Sequence, residues 1–131
     1  MATATVAVVS GGLDSVTLAH LLSEDMAAGR LGQPGDGLTL VTFDYGQRHA
    51  KEIAFAESAA SRLGARWLLV HLADIGRYCH SALTDPASEV PEGHYAADNM
   101  KATVVPNRNT IMLSVATAIA VSEKAPSVAI A

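Results

Sequence analysis

Residues 10–15, with the sequence Ser-Gly-Gly-Leu-Asp-Ser, are of the types that bind a phosphorylated ligand. Glycines without a β-carbon let the main chain approach phosphate oxygens, and the first amides of a helix point toward an anion. Ser10 and Ser15 add hydroxyl donors, and Mg²⁺ takes one or two carboxylates such as Asp14 alongside phosphate oxygens. No Gly-Lys-Ser/Thr follows and the spacing is not GxGxxG, so the segment is neither a Walker A loop nor a dinucleotide fingerprint.

A second polar cluster is Asp44-Tyr45-Gly46-Gln47-Arg48-His49, with Glu52 shortly after it. Arginine and histidine at a helix start beside a phosphate loop are suited to bind a nucleotide or a carboxylate. The alternative is a turn before a solvated helix, in which Arg48 and Glu52 form an ordinary i,i+4 pair. The position of the cluster after a strand favours the binding role.

A third cluster, residues 103–110 (TVVPNRNT), precedes an apolar helix. Pro106 disfavours helix at the residue before it, and Asn109 is a reasonable N-cap. Capping accounts for Asn109. It does not account for Arg108, whose charge is then expected to face a ligand or solvent.

The elements that position these clusters alternate between strand and helix. Strands are predicted at Thr5–Val9, Leu38–Phe43, Arg66–His71 and Ser127–Ala131, and helices from Asp14 to Gly29, from about 48 to 63 and from Asn109 to Val121. The last helix is apolar nearly all round and is expected to be buried on more than one side. The connection from Ala73 to Val105 is long and weakly periodic.

This alternation predicts a three-layer α/β domain with a parallel sheet. In such sheets, ligands bind beyond the carboxyl ends of the strands, where the first two clusters lie. We expect residues 1–131 to form a single domain of this type. The final apolar run stops inside the fourth strand, so we expect a domain truncated at that strand.

Composition supports a packed globular protein. Half of the 131 residues are hydrophobic, 17% are charged and the net charge is −4. Nine scattered Lys and Arg residues argue against a nucleic-acid-binding face. Neither a cleavable leader nor a membrane-length apolar run is evident, so a soluble, cytoplasmic protein without a membrane partner is expected. Cys79 is the single cysteine, which rules out an intrachain disulfide.

The SGGLDS segment resembles the PP-loop of the ATP pyrophosphatases. That resemblance implies binding of ATP with Mg²⁺, and attack of a substrate oxygen on the α-phosphorus with loss of pyrophosphate. The further motifs YGQRH, SALTD, VPEGH and VPNRNT are collinear with those of the 7-cyano-7-deazaguanine synthases over essentially the whole chain. Such enzymes convert 7-carboxy-7-deazaguanine and ammonia to the nitrile in two ATP-dependent steps of queuosine biosynthesis.

The resemblance implies a set of site residues. The ATP site would comprise Val8, Val9, Ser10, Gly11, Gly12, Leu13, Asp14, Ser15, Val16, Thr17, Leu18 and Tyr45. The substrate site would comprise Arg48, His49, Lys101, Arg108 and Asn109, although a solvated role for Lys101 is the simpler interpretation. Catalytic roles fall to Asp14, Arg48, His49 and Arg108, with Asp14 also the candidate Mg²⁺ ligand.

One departure from the family is plain. Its members carry a C-terminal four-cysteine zinc site, which a chain with Cys79 alone cannot make. Two other functions stay open: another PP-loop adenylating ligase, either tRNA-modifying or amidating, and a nucleotide-binding module without turnover. The uncovered apolar surface of the last helix and strand also suggests a homodimer.

Overall fold

The computed structural model describes residues 2–46, 50–78 and 108–131, and within residues 75–77 it describes the backbone only. Its strands are β1 (Thr3–Val8), β2 (Gly37–Asp44), β3 (Arg66–His71) and β4 (Val128–Ala129). Its helices are α1 (Leu13–Ala27), α2 (Ala50–Leu63), α3 (Ala73–Tyr78) and α4 (Arg108–Ser122). The strands form one parallel sheet in the order β3-β2-β1-β4. The α/β architecture with a parallel sheet is therefore confirmed, and its fourth strand is short.

Alternate residues of the central strands divide the core into two layers. Val6, Val8 and Phe43 pack with Met112 and Ala116 of α4 on one face of the sheet. On the other face, the core is formed by Ala7, Val9, Leu38, Leu40, Ala19, Ala56 and Ala60, the last three from α1 and α2. Small alanines let these helices lie close to the sheet, which explains how a core with few aromatic residues is filled.

Two expectations about the helices are wrong. Helix α4 buries one side, through Met112, Ala116 and Ala120, whereas the side chain of Val121 is 73% exposed among the described residues. In addition, α4 begins at Arg108, so Asn109 lies inside its first turn and is not the N-cap. An all-apolar composition fixes no buried face, which is why the sequence pattern could not distinguish one buried side from two.

The start of the predicted long connection is also more regular than expected. Residues Ala73–Tyr78 form α3 directly after β3. The remainder, from residue 79 to residue 105, lies outside the described residues. In the part of the chain that the structure describes, no helix is long and apolar enough to cross a membrane.

Candidate functional site

The turn between β1 and α1 is organised around the hydroxyl of Ser15, which is only 4% exposed. Its Oγ accepts hydrogen bonds from the amides of Ser10 at 3.1 Å and Gly11 at 3.2 Å, and it donates to the Gly12 carbonyl at 3.1 Å. A serine hydroxyl has one proton and two acceptor positions, so these three bonds use its full capacity. Ser15 therefore closes the turn.

The side chain of Ser10 supports the same turn. Its Oγ accepts the amide of Gly12 at 3.3 Å and lies 3.1 Å from Ser15 Oγ. Together these bonds occupy the amides of Ser10, Gly11 and Gly12 inside the loop. The loop amides expected to hold an anion are thus engaged with side-chain hydroxyls.

The amides that remain belong to the start of α1. Gly12 is the N-cap residue and provides no side-chain cap, and the first intrahelical bond runs from the Val16 amide to the Gly12 carbonyl. The amides of residues 13–15 precede that bond and have no carbonyl one turn earlier to bind. They carry the positive end of the helix dipole, which is the usual anion-binding position.

A cavity of about 500 Å³ lies at the carboxyl edge of the sheet, next to this turn. Its lining comes from strand ends and helix starts: Val8, Val9, Ser10, Asp14, Ser15, Phe43, Tyr45, Glu52, Ile53, Arg108, Asn109, Met112, Ile130 and Ala131. The lining combines polar and apolar side chains. This combination suits a ligand with a phosphate or carboxylate group and a flat ring system.

Tyr45 is a buried polar residue of the cavity lining. Its side chain is 7% exposed, and its hydroxyl has no hydrogen-bond partner among the described residues. Burial raises the pKa of the hydroxyl above its ordinary value, and the nearby positive charge of Arg108 opposes part of that rise. Tyr45 therefore stays neutral at physiological pH and can donate a hydrogen bond into the cavity.

Asp44 shapes the backbone around Tyr45. Its Oδ1 accepts the amide of Gly46 at 2.9 Å, and its carbonyl accepts the amide of Leu72 at 2.7 Å. The other carboxylate oxygen lies 3.4 Å from Nδ1 of His71 at the end of β3. These contacts hold the ends of β2 and β3 together, and so fix where Tyr45 leaves the sheet.

The cavity brings together residues from the three predicted clusters. Val8, Val9, Ser10, Asp14, Ser15, Tyr45, Arg108 and Asn109 line it. Gly11, Gly12, Leu13, Val16, Thr17 and Leu18 shape the turn and helix without lining the cavity, and the side chain of Leu13 is 84% exposed. Arg48, His49 and Lys101 lie outside the described residues, as does Cys79.

Several lining residues were not predicted from the sequence. Phe43, Ile53, Met112 and Ile130 are apolar and fit the periodic core patterns of their elements. Only the sheet order, which puts β4 beside β1, brings Ile130 to the same edge as Phe43. In the sequence, these apolar residues differ from other core residues only in lying at the ends of strands or near the starts of helices.

The resemblance implies two metals, Mg²⁺ and zinc. Among the described residues, no group of three or more His, Cys, Asp or Glu side chains could hold a metal ion by itself. Asp14 lines the cavity in the first turn of α1, which suits a Mg²⁺ ion that takes most of its other ligands from phosphate and water.

These features define a class: a parallel α/β domain with a glycine turn and a helix start aimed into a cavity at the carboxyl edge of its sheet. The family model of "Queuosine biosynthesis protein QueC" matches residues 4–131. The chain belongs to that family.

The comparisons with individual proteins agree. The 7-cyano-7-deazaguanine synthases of Rhizobium johnstonii and Ruegeria pomeroyi are 51% and 49% identical over 128 residues, which is 97% of this chain. The chain spans about half the length of each, 50% and 51% respectively. Among solved structures, the U34-tRNA thiolase NcsA from Methanococcus maripaludis matches 98% of this chain and 38% of its own, with TM-score 0.62 and 20% identity. That likeness shows the fold.

Proposed function

We propose that this chain is the nucleotide-binding part of an ATP-dependent ligase that converts 7-carboxy-7-deazaguanine and ammonia to 7-cyano-7-deazaguanine. One observation carries the proposal: a single cavity joins the SGGLDS turn to the unpartnered, buried hydroxyl of Tyr45 and to Arg108 within the described part of the chain. Membership of a queuosine-biosynthesis family and the similarity to 7-cyano-7-deazaguanine synthases support the choice of reaction.

The phosphates of ATP are proposed to bind at the start of α1. The amides of residues 13–15 face the anion, and the hydroxyl proton of Ser10 joins them because both acceptor positions of Ser15 Oγ are already filled. Asp14 would hold Mg²⁺, which neutralises charge on the departing pyrophosphate. Donors aimed at the developing charge are the strongest contribution a protein makes to such a step.

The acid is proposed to bind in the same cavity, beside Tyr45 and Arg108. Arg108 offers a forked cation to a carboxylate, and Tyr45 offers a neutral donor that is already desolvated before the ligand arrives. Asn109 adds an amide at the same helix start. By the family resemblance, Arg48, His49 and Lys101 are proposed to complete this substrate site.

The chemistry then needs no protein nucleophile. A carboxylate oxygen attacks the α-phosphorus of ATP, pyrophosphate leaves, and ammonia displaces AMP to give the amide and release a proton. In the second cycle the amide oxygen attacks the α-phosphorus of another ATP, and pyrophosphate leaves again. Loss of AMP and of the two amide protons gives the nitrile.

Release of pyrophosphate and AMP from ATP and Mg²⁺ tests this proposal. The chain is assayed with 7-carboxy-7-deazaguanine and ammonia present or omitted, alongside Asp14→Ala and Arg108→Ala. Release that requires the acid, and that falls at least about 100-fold in Asp14→Ala, is the expected result. Arg108→Ala is expected to raise the KM for the acid more than the KM for ATP. Release that proceeds equally without the acid would overturn the choice of substrate.

A second function is favoured by one observation. The chain spans about half the length of its relatives, so it contains the PP-loop half and need not contain everything that turnover requires. In that case it is a nucleotide-binding module. Calorimetry that detects ATP binding, while the same sample releases no pyrophosphate, would favour this function over the ligase.

A further inference from the structure

The peptide group that joins Val9 to Ser10 is held at both of its polar atoms by side-chain hydroxyls. Thr42 Oγ1 donates to the carbonyl oxygen of Val9 at 2.7 Å, and the amide of Ser10 donates to Ser15 Oγ at 3.1 Å. A peptide group is planar, so its carbonyl and amide rotate as one body. A rotation of this peptide that breaks the Thr42 bond therefore also turns the Ser10 amide away from Ser15 Oγ.

Thr42 acts where the strand pairing stops. The register of β1 against β2 runs to the Val8–Val41 pair, and the Val9 amide makes one more bond to the Val41 carbonyl. Beyond that point it is the Thr42 side chain that engages the Val9 carbonyl. Here a side-chain hydroxyl takes the place of a main-chain partner from the neighbouring strand. The main chain can therefore turn away from the sheet into the glycine turn while the Val9 carbonyl keeps a donor.

Trp67 sets the direction of the Thr42 hydroxyl. The indole Nε1 of Trp67, on β3, donates to Thr42 Oγ1 at 2.9 Å. An indole N–H can only donate, so it occupies an acceptor position of the hydroxyl. The single hydroxyl proton of Thr42 is then directed to Val9. A chain of hydrogen bonds thus crosses three neighbouring strands, from β3 through β2 to the end of β1.

We propose that Thr42 is a positioning residue of the phosphate-binding turn, and that Trp67 holds its hydroxyl in the working orientation. Thr42 is 1% exposed and does not line the cavity, so it acts through the Val9–Ser10 peptide rather than by touching a ligand. The identity of the ligand, ATP with Mg²⁺, rests on the proposed function. The two hydrogen bonds that hold the Val9–Ser10 peptide do not depend on that function.

The chain offers a matched control for this proposal. Thr39 lies on the same strand, is also 1% exposed, and its Oγ1 lies 3.2 Å from Thr3 Oγ1 near the start of the sheet. Thr42→Val and Thr39→Val therefore make the same replacement in the same strand at opposite ends. Thr42→Ser keeps the hydroxyl and serves as the conservative rescue.

The first measurement is the affinity for ATP with Mg²⁺ by calorimetry. Thr42→Val is expected to weaken binding about 10-fold, whereas Thr42→Ser and Thr39→Val stay within about twofold of the unmodified chain. Trp67→Phe is expected to weaken ATP binding by a factor between these two, because Thr42 keeps its hydroxyl proton but loses the bond that directs it. Equal weakening by Thr39→Val and Thr42→Val would overturn the proposal, since it would indicate a general loss of stability.

The second measurement is hydrogen exchange at the amides of Ser10 and Gly11, without any ligand. Thr42→Val is expected to speed exchange at both amides at least about 10-fold, while Thr39→Val leaves them unchanged. Unchanged exchange in Thr42→Val would directly overturn the proposal that Thr42 positions the Val9–Ser10 peptide. If the unmodified chain binds no ATP, the proposed function fails while this measurement still decides the role of Thr42.

Discussion

Gly11 lies so close to the main-chain carbonyl of Glu52 that a β-carbon on Gly11 would overlap that oxygen. This contact packs the phosphate-binding turn against the first turn of α2. Gly11 also has a φ of +96°, in the left-handed region that side-chain-bearing residues rarely adopt. Conformation and space thus each exclude a side chain here.

Gly11→Ala is therefore expected to destabilise the chain more than an ordinary glycine replacement. The left-handed conformation costs about 1–2 kcal/mol and the overlap with the Glu52 carbonyl adds about 1–3 kcal/mol. Gly35→Ala is the matched control, since Gly35 has a φ of +89° and a β-carbon there would meet only open space. Urea unfolding of both variants isolates the effect of the contact. Equal losses of stability would show that α2 moves away without cost.

Ser15→Ala is expected to loosen the turn. The replacement removes the acceptor of two amides, those of Ser10 and Gly11, and the donor to the Gly12 carbonyl. The Ser10 and Gly11 amides make partly buried bonds, each of which contributes about 0.5–1.5 kcal/mol. The expected loss in the free energy of unfolding is about 1–3 kcal/mol, accompanied by weaker ATP binding.

Ser58→Ala is the control for that variant. Ser58 is an exposed helical serine whose Oγ accepts a bond from Arg62 within α2. Its removal is expected to change stability by less than about 0.5 kcal/mol. Chemical denaturation followed by fluorescence of Trp67 measures both variants. A Ser15→Ala chain as stable as Ser58→Ala would contradict the central role of the Ser15 hydroxyl.

The sequence predicts the architecture well because periodic patterns depend on burial. Strand β3 falls at Arg66–His71 as expected, and β1 and β2 differ from expectation by no more than two residues at either end. The sequence also locates the turn at residues 10–15, because a glycine pair between a strand and a helix is typical of a tight turn. What a pattern cannot give is which helix face is buried, as the exposed Val121 and Leu21 show.

The apolar lining residues of the cavity and the Thr42 hydrogen bonds could not be predicted for a different reason. Both depend on which strands become neighbours. The Trp67 indole reaches Thr42 only because β3 pairs with β2 in the register that sets Leu40 opposite Trp67. A buried threonine in a strand looks the same in sequence whether its hydroxyl bonds a distant carbonyl or not.

Tyr45→Phe is expected to separate stability from binding. The Tyr45 hydroxyl has no partner among the described residues, so its removal should leave the free energy of unfolding unchanged or raise it by up to about 1 kcal/mol. If the hydroxyl donates to a ligand, the same variant should bind that ligand about 5–10-fold more weakly. Tyr78→Phe is the control, because the Tyr78 side chain is 74% exposed. Unchanged affinity for both ATP and the deazapurine acid would exclude a binding role for Tyr45.

The alkaline limb of the stability curve gives a second test of Tyr45. Burial raises the pKa of its hydroxyl in the folded chain, against the opposing charge of Arg108. Above about pH 10 the unfolded chain releases this proton while the folded chain keeps it, so the folded state binds more protons and stability falls as pH rises. The contribution is fully present below about pH 10 and is lost as the pH rises through the folded-state pKa.

Tyr45→Phe removes this loss because phenylalanine does not titrate. Urea unfolding between about pH 8 and pH 11 is expected to show a constant difference between the two chains at first, and then a growing advantage for the variant above about pH 10. Arg108→Ala should steepen the loss in a chain that keeps Tyr45, since it removes the charge that lowers the Tyr45 pKa. Parallel curves for the unmodified chain and Tyr45→Phe would mean that the hydroxyl ionises as readily in the folded chain as in the unfolded one, and that it is not buried in solution.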